Sequence, residues 1–205
     1  MISSPPPPAG PTVAQILVRM NARVSGIRTY QVPIAIDARL RKVVTIPVSL
    51  TGTEYFAAPD RYSLHMNTVP AIAKSFKNLI ASLGSPVTWP QTYAITQVPP
   101  SVTLSRPAYE LLGVPRHPGN VDHVLLDVDA GTYAPVEVRW FYRNGATIAM
   151  TVNEQVVDSK YPLPSSETLT VAFPEYRGTA IIHYGRYSVN QALPQGVFGI
   201  EHSQQ

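Results

Sequence analysis

The sequence predicts an α+β fold, a strongly curved antiparallel sheet with helices against one apolar face, and three observations carry that expectation. Long stretches alternate apolar and polar residues with a period of two, while only two stretches show helical periodicity. Proline is abundant, at 21 of 205 residues, about twice the usual share, and that load suits strand edges and turns better than helix interiors. The alternation leaves one greasy face per strand, and a large sheet buried on one face only tends to curl. A chain of this length fills one β-rich domain. Its expected bounds are a Pro-rich tether over 1–11, a single domain over 12–190 and a flexible tail over 191–205.

Each element follows from local pattern. Pro5 to Pro8 form a stiff polyproline tether. From Thr12, a suitable N-cap, the apolar residues Val13, Ile16, Leu17, Met20 and Val24 recur three and four apart, so a first helix runs to a stop at Gly26. Tyr30, Val32, Ile34, Ile36, Ala38 and Leu40 then share one face of a long strand, which must twist. The basic turn Arg39 to Lys42 returns the chain through Val44, Ile46, Val48 and Leu50, with Pro47 marking an edge or a bulge. "TGTEYFAAPDRY" reads as a connection to a strand with Tyr62, Leu64 and Met66 on one side.

A second helix is expected over 67–84, capped by Asn67 or Thr68, with Pro70 in its first turn, the stripe Val69, Ile72, Phe76, Leu79, Ile80 and Leu83, and Gly84 at its end. Between Val87 and Pro118 the pattern supports one strand near Thr92 to Val98 and an irregular or helical piece at "RPAYELLGV". The meander resumes with strands at Val121–Val128, Val136–Tyr142 and Thr147–Val152, the last two joined by the hairpin signal Asn144-Gly145. After a loop "SKYPLPSSE", strands at Thr168–Phe173 and Thr179–Val189 complete the sheet.

Composition and motifs exclude several functions. The charged fraction is 14%, below the roughly 25% of an average soluble protein, and the formal net charge of +3 comes from scattered residues. A nucleic-acid partner would need a basic stripe with interleaved aromatics, which is absent. With no cysteine, disulfides, thiol catalysis and cysteine metal sites are excluded. His65, His117, His123, His183 and His202 show no metal-ligand spacing. "DVDAG" at Asp127 to Gly131 lacks the later ligands of a calcium loop and reads as an aspartate-stabilised turn. No serine elbow or phosphate loop is present, so no enzyme and no cofactor are expected. No apolar run reaches the roughly 20 residues that cross a membrane, and the N-terminus has no signal-peptide pattern.

The helix leading into a long strand, "GTEYFAAPDRYSLHM", and "LLDVDAGTYAPVEVRWFYRNGATIAM" followed by "YPLP" together resemble the periplasmic lipoprotein-carrier superfamily (LolA/LolB-like), over most of Thr12 to Val189. The resemblance implies an incomplete β-barrel whose helices cover a hydrophobic cavity for acyl chains. It implies a periplasmic or extracytoplasmic setting, with any signal or anchor missing from this chain.

On that scheme Tyr30, Val32, Ile34, Ile46, Val48, Tyr62, Leu64, Met66, Trp140, Tyr142, Ile148 and Met150 line the cavity, and Ile72, Phe76 and Leu79 form a helical lid. Two short helices are a thin filling for so broad a face, and tyrosines bordering an apolar lining suit a ligand site. The expected partners are a lipid or acylated lipoprotein, an envelope protein and, through Arg39 to Lys42, a peripheral membrane contact, with the protein itself a monomer. The alternative is a structural or protein-interaction module of the cell envelope whose inner face is plain packed core.

Overall fold

The computed structural model describes residues 10–67, 88–99 and 107–198. The expected second helix, with Ile72, Phe76 and Leu79, lies outside the described residues. In chain order the elements are α1 Val13–Arg23, β1 Thr29–Arg41, β2 Thr45–Ala57, β3 Arg61–Met66, α2 Trp89–Thr92, β4 Tyr93–Val98, β5 Ala108–Pro115, β6 Val121–Asp129, β7 Pro135–Tyr142, β8 Thr147–Val157, β9 Tyr161–Ala172, β10 Arg177–Tyr184 and β11 Ser188–Val189.

All strand pairs are antiparallel and form one sheet in the order β3-β2-β1-β10-β9-β8-β7-β6-β5-β4, with β11 beside the start of β1. The two ends of that order do not meet, so the sheet is an open, curved one and not a closed barrel. Its central event is the pairing of β1 with β10, which joins the two ends of the chain: Ile34 lies opposite Tyr184 and Ala38 opposite Ala180.

Register carries one face across the sheet. Ile36 lies opposite Leu50, Ala180 opposite Leu169, Val171 opposite Ile148, Ile148 opposite Trp140, and Leu126 opposite both Val138 and Leu111. These side chains form a single continuous core. Ile16 and Met20 of α1 join it, so the helix lies against this face. Thr12 caps α1 as its sequence suggests, in a reciprocal arrangement with Gln15 that satisfies orphan backbone donors at the helix start.

Several boundaries depart from the sequence expectation. β2 runs on through "TGTEYFA" to Ala57, and the turn is only Ala58–Asp60. "AYELLGVP" is strand β5, not a helical piece, because its Leu111 and Gly113 complete the face begun by Leu126 and Val124. "YPLPSSE" belongs to β9 instead of a loop. Pro162 and Pro164 pair there with β8, while β10 reaches β9 only from Ser166 onward, so the missing amides fall where one side is unpaired. The turn before β9 is tight, with Asp158 and Ser159 in the left-handed region. The last expected strand is two, β10 and β11, separated by Gly185 to Tyr187. Residues of the expected tail lie against β3, where Val197 is buried and its carbonyl meets Nε2 of His65 at 2.9 Å.

Candidate functional site

The inner face of the sheet gathers the predicted lining. Tyr30, Val32 and Ile34 on β1, Val48 on β2, Leu64 on β3, Trp140 on β7 and Ile148 on β8 are buried in the one core, and Met66, Tyr142 and Met150 pack half-buried against it. Ile46 and Tyr62 fall on the same face by register yet are 39% and 49% exposed, because they stand toward its margin on β2 and β3. Among the described residues the face therefore grades from a closed centre to an open rim on the β2–β3 side.

α1 closes one end of this face and is held by polar contacts at its margins. Arg23 donates from both terminal nitrogens to Glu154 on β8, at 2.9 and 2.5 Å. Arg19 donates to the Tyr133 hydroxyl in the β6–β7 turn, with its guanidinium 4.9 Å from the Tyr133 ring centroid. The outer side of α1 carries a shallow depression of about 220 Å³ lined by Ala14, Gln15, Val18 and Arg19, away from the core face. Asp129 organises the turn that presents Tyr133: one of its carboxylate oxygens accepts from the amides of Gly131 and Thr132 and from the Thr132 hydroxyl. That turn uses the aspartate as a local hydrogen-bond acceptor.

Two polar clusters sit within the sheet, and neither stood out as a site in the sequence. The first is on the inner face. Glu54 follows Val48, Leu50 and Gly52 in the same parity of β2, and Glu167 precedes Leu169 and Val171 in that of β9. The Tyr30 hydroxyl donates to Glu54 at 2.6 Å, and Tyr184 and Glu167 interact electrostatically. Burial raises the carboxyl of Glu54. Burial first, and the nearby charge of Glu54 second, push Glu167 up to about 7. Burial likewise drives the hydroxyls of Tyr30, Tyr184 and Tyr187 above the ordinary tyrosine value. Parity was the available signal: extending the alternation through Gly52 puts Glu54 inside.

The second cluster is on the opposite face. Arg139 on β7 donates to Glu110 on β5 at 2.5 Å and to Asp127 on β6 at 3.1 Å, with Glu137 at 3.9 Å. Burial raises the Asp127 carboxyl to about 6; Arg139 opposes the rise and Glu110 adds to it. The guanidinium thus ties three adjacent strands together. Its planar fork suits several carboxylates at once.

No protein-family model and no curated protein matches the chain. Among solved structures, a domain assigned to outer membrane lipoprotein sorting from Vibrio parahaemolyticus superposes with a TM-score of 0.60 at 14% identity, over 90% of this chain and 94% of its own. A LolA superfamily protein from Nitrosomonas europaea gives 0.58 at 12%, over 92% and 98%. The fold is LolA-like. A DUF1329 family protein from Desulfovibrio piger shares it, with a TM-score of 0.66 at 13% identity over 95% and 99%. At these identities the likeness is one of architecture alone. No helix among the described residues is long and apolar enough to cross a membrane.

Proposed function

We propose that this LolA-like protein is a non-enzymatic carrier or sensor that takes lipid or lipoprotein acyl chains against the inner face of its sheet, outside the cytoplasm. The observation that carries the reading is the continuous apolar face from Leu64 on β3 to Leu111 on β5, against which α1 is the one long helix among the described residues. Each CH₂ moved from water to such a face contributes about 0.8 kcal/mol, so an alkyl chain is held without a specific polar contact. Because Ile16 and Met20 are themselves buried there, cargo enters by exchange: α1 gives up its burial as the acyl chain gains its own. The Arg23–Glu154 and Arg19–Tyr133 contacts are the fastenings that such a movement releases.

The close packing of the central strands supports a second reading, an envelope interaction module whose inner face is core. Val124, Leu126, Val128, Ile148, Leu169 and Val171 are all sealed. Native mass spectrometry of gently purified protein, followed by solvent extraction and lipid identification, separates the two. A co-purifying acyl-chain mass is expected. A clean protein mass that also ignores added fatty acids and phospholipids sinks the carrier reading in favour of the interaction module.

A further inference from the structure

Five aromatic rings follow one another across the inner face beside the open rim. Tyr62 packs on Phe56 with ring centroids 4.9 Å apart, Phe56 stacks on Tyr30 at 5.1 Å, Tyr30 meets Tyr187 edge-on at 5.4 Å, and Tyr187 stacks on Tyr184 at 6.1 Å. Glu54, which accepts from the Tyr30 hydroxyl, and Glu167, which interacts electrostatically with Tyr184, stand within this run, and both remain half-buried instead of sealed. No described lysine or arginine forms an ion pair with either carboxylate, although buried acids are ordinarily neutralised by one. Arg139, by contrast, performs that service for the acids of the opposite face.

Electron-rich ring faces next to carboxylates that no described cation pairs with are the surroundings that attract an organic ammonium group. An inorganic cation is a poorer fit, since the described residues gather no group of three or more acidic or histidine side chains here. The same spot adjoins apolar lining: Glu54 lies opposite Val32 and Leu64, and Glu167 opposite Ile182 and Val152. We infer that this aromatic and carboxylate patch is a head-group subsite for an ammonium-bearing amphiphile whose alkyl part lies along the neighbouring apolar face.

This inference rests on the acyl-chain reading above and names the polar end of its cargo. Among the described residues, Glu54, Glu167 and the tyrosines Tyr30, Tyr184 and Tyr187 influence one another's ionisation, and no described cation adds to that set. A cationic ligand supplies the opposite charge that the described residues of the patch do not.

The test compares three amphiphiles of equal chain length below their micelle concentrations: dodecyltrimethylammonium, dodecyl maltoside and dodecyl sulfate, each titrated calorimetrically at pH 8. The unmodified protein is expected to bind the ammonium about tenfold more tightly than the maltoside, equivalent to about 1.4 kcal/mol. In the double variant Glu54→Gln, Glu167→Gln that ratio falls to near one while maltoside affinity is retained, which also shows that the variant is folded. Tetramethylammonium chloride, a head group without a chain, competes with dodecyltrimethylammonium and leaves maltoside binding intact. Equal affinity for all three heads, tighter binding of the sulfate, or an ammonium preference that survives in the double variant overturns the subsite while leaving the acyl-chain reading standing. Failure of all three to bind overturns both.

Discussion

Glu167→Gln isolates the energetic consequence of placing a carboxyl on the inner face. Glu167 has its proton affinity raised from the ordinary 4.5 to about 7, first by burial and then by the charge of Glu54. The native state therefore holds this proton more tightly than the unfolded chain does. The sign follows: stability is fully present below the unfolded value and is lost as pH rises through about 7. At 1.36 kcal/mol for each tenfold change in proton affinity, ionising the group costs the native state about 3 kcal/mol at most. The side chain keeps partial contact with solvent, so screening reduces the expected cost to about 1–3 kcal/mol.

Glutamine carries no charge at any pH and retains the shape. Urea unfolding of both proteins at pH 5 and pH 8 reads the effect directly. The gap between variant and wild type should shift by about 1–3 kcal/mol in the variant's favour at the higher pH. Asp127, raised to about 6, gives a pH slope of the same sign, but it is present in both proteins and cancels in the comparison. A gap that does not change between the two pH values would refute the placement of Glu167 in a desolvated, like-charged site.

The other two predictions concern the sheet itself. A Cβ at Gly52 would stand 2.3 Å from the His65 carbonyl oxygen of the paired strand, so Gly52→Ala is expected to cost about 1–3 kcal/mol in urea unfolding and to weaken amide protection along β3. Gly119→Ala, which meets nothing within 4 Å, serves as the control and should change stability by no more than about 0.5 kcal/mol. Arg139→Met removes the cation that Glu110 and Asp127 share, and a loss of about 3–5 kcal/mol is expected at pH 8 by the same measurement. The loss should be smaller at pH 5, where Asp127, titrating near 6, takes up a proton and its charge disappears.

Side-chain parity was legible in the sequence because a strand alternates its faces whatever it pairs with. That is why Tyr30, Val32, Ile34, Val48, Leu64, Trp140 and Ile148 could be assigned to one face before any pairing was known, and why they share one core. Thr12 and α1 were legible for a similar local reason, since a cap and a 3.6-residue stripe are properties of adjacent residues. β5 and β9 were not. The run "AYELLGVP" suits either a helix or a strand on its own, and the prolines of "YPLPSSE" signal a loop unless one side of that strand is left unpaired.

Partner choice belongs to the tertiary structure alone. Nothing local in "TAIIHY" announces that it pairs with β1 near the other end of the chain, and that pairing brings Tyr184 and Glu167 into the same patch as Tyr30 and Glu54. A carboxylate's parity can be counted along a strand, but its depth, its neighbours and its proton affinity depend on which distant strands curve around it. The sequence by itself thus determined which residues face inward, through steric rules that act over a few bonds. Whether an inward residue becomes sealed core, open rim or a charge in a low-dielectric patch was decided only when register and curvature placed the other strands beside it.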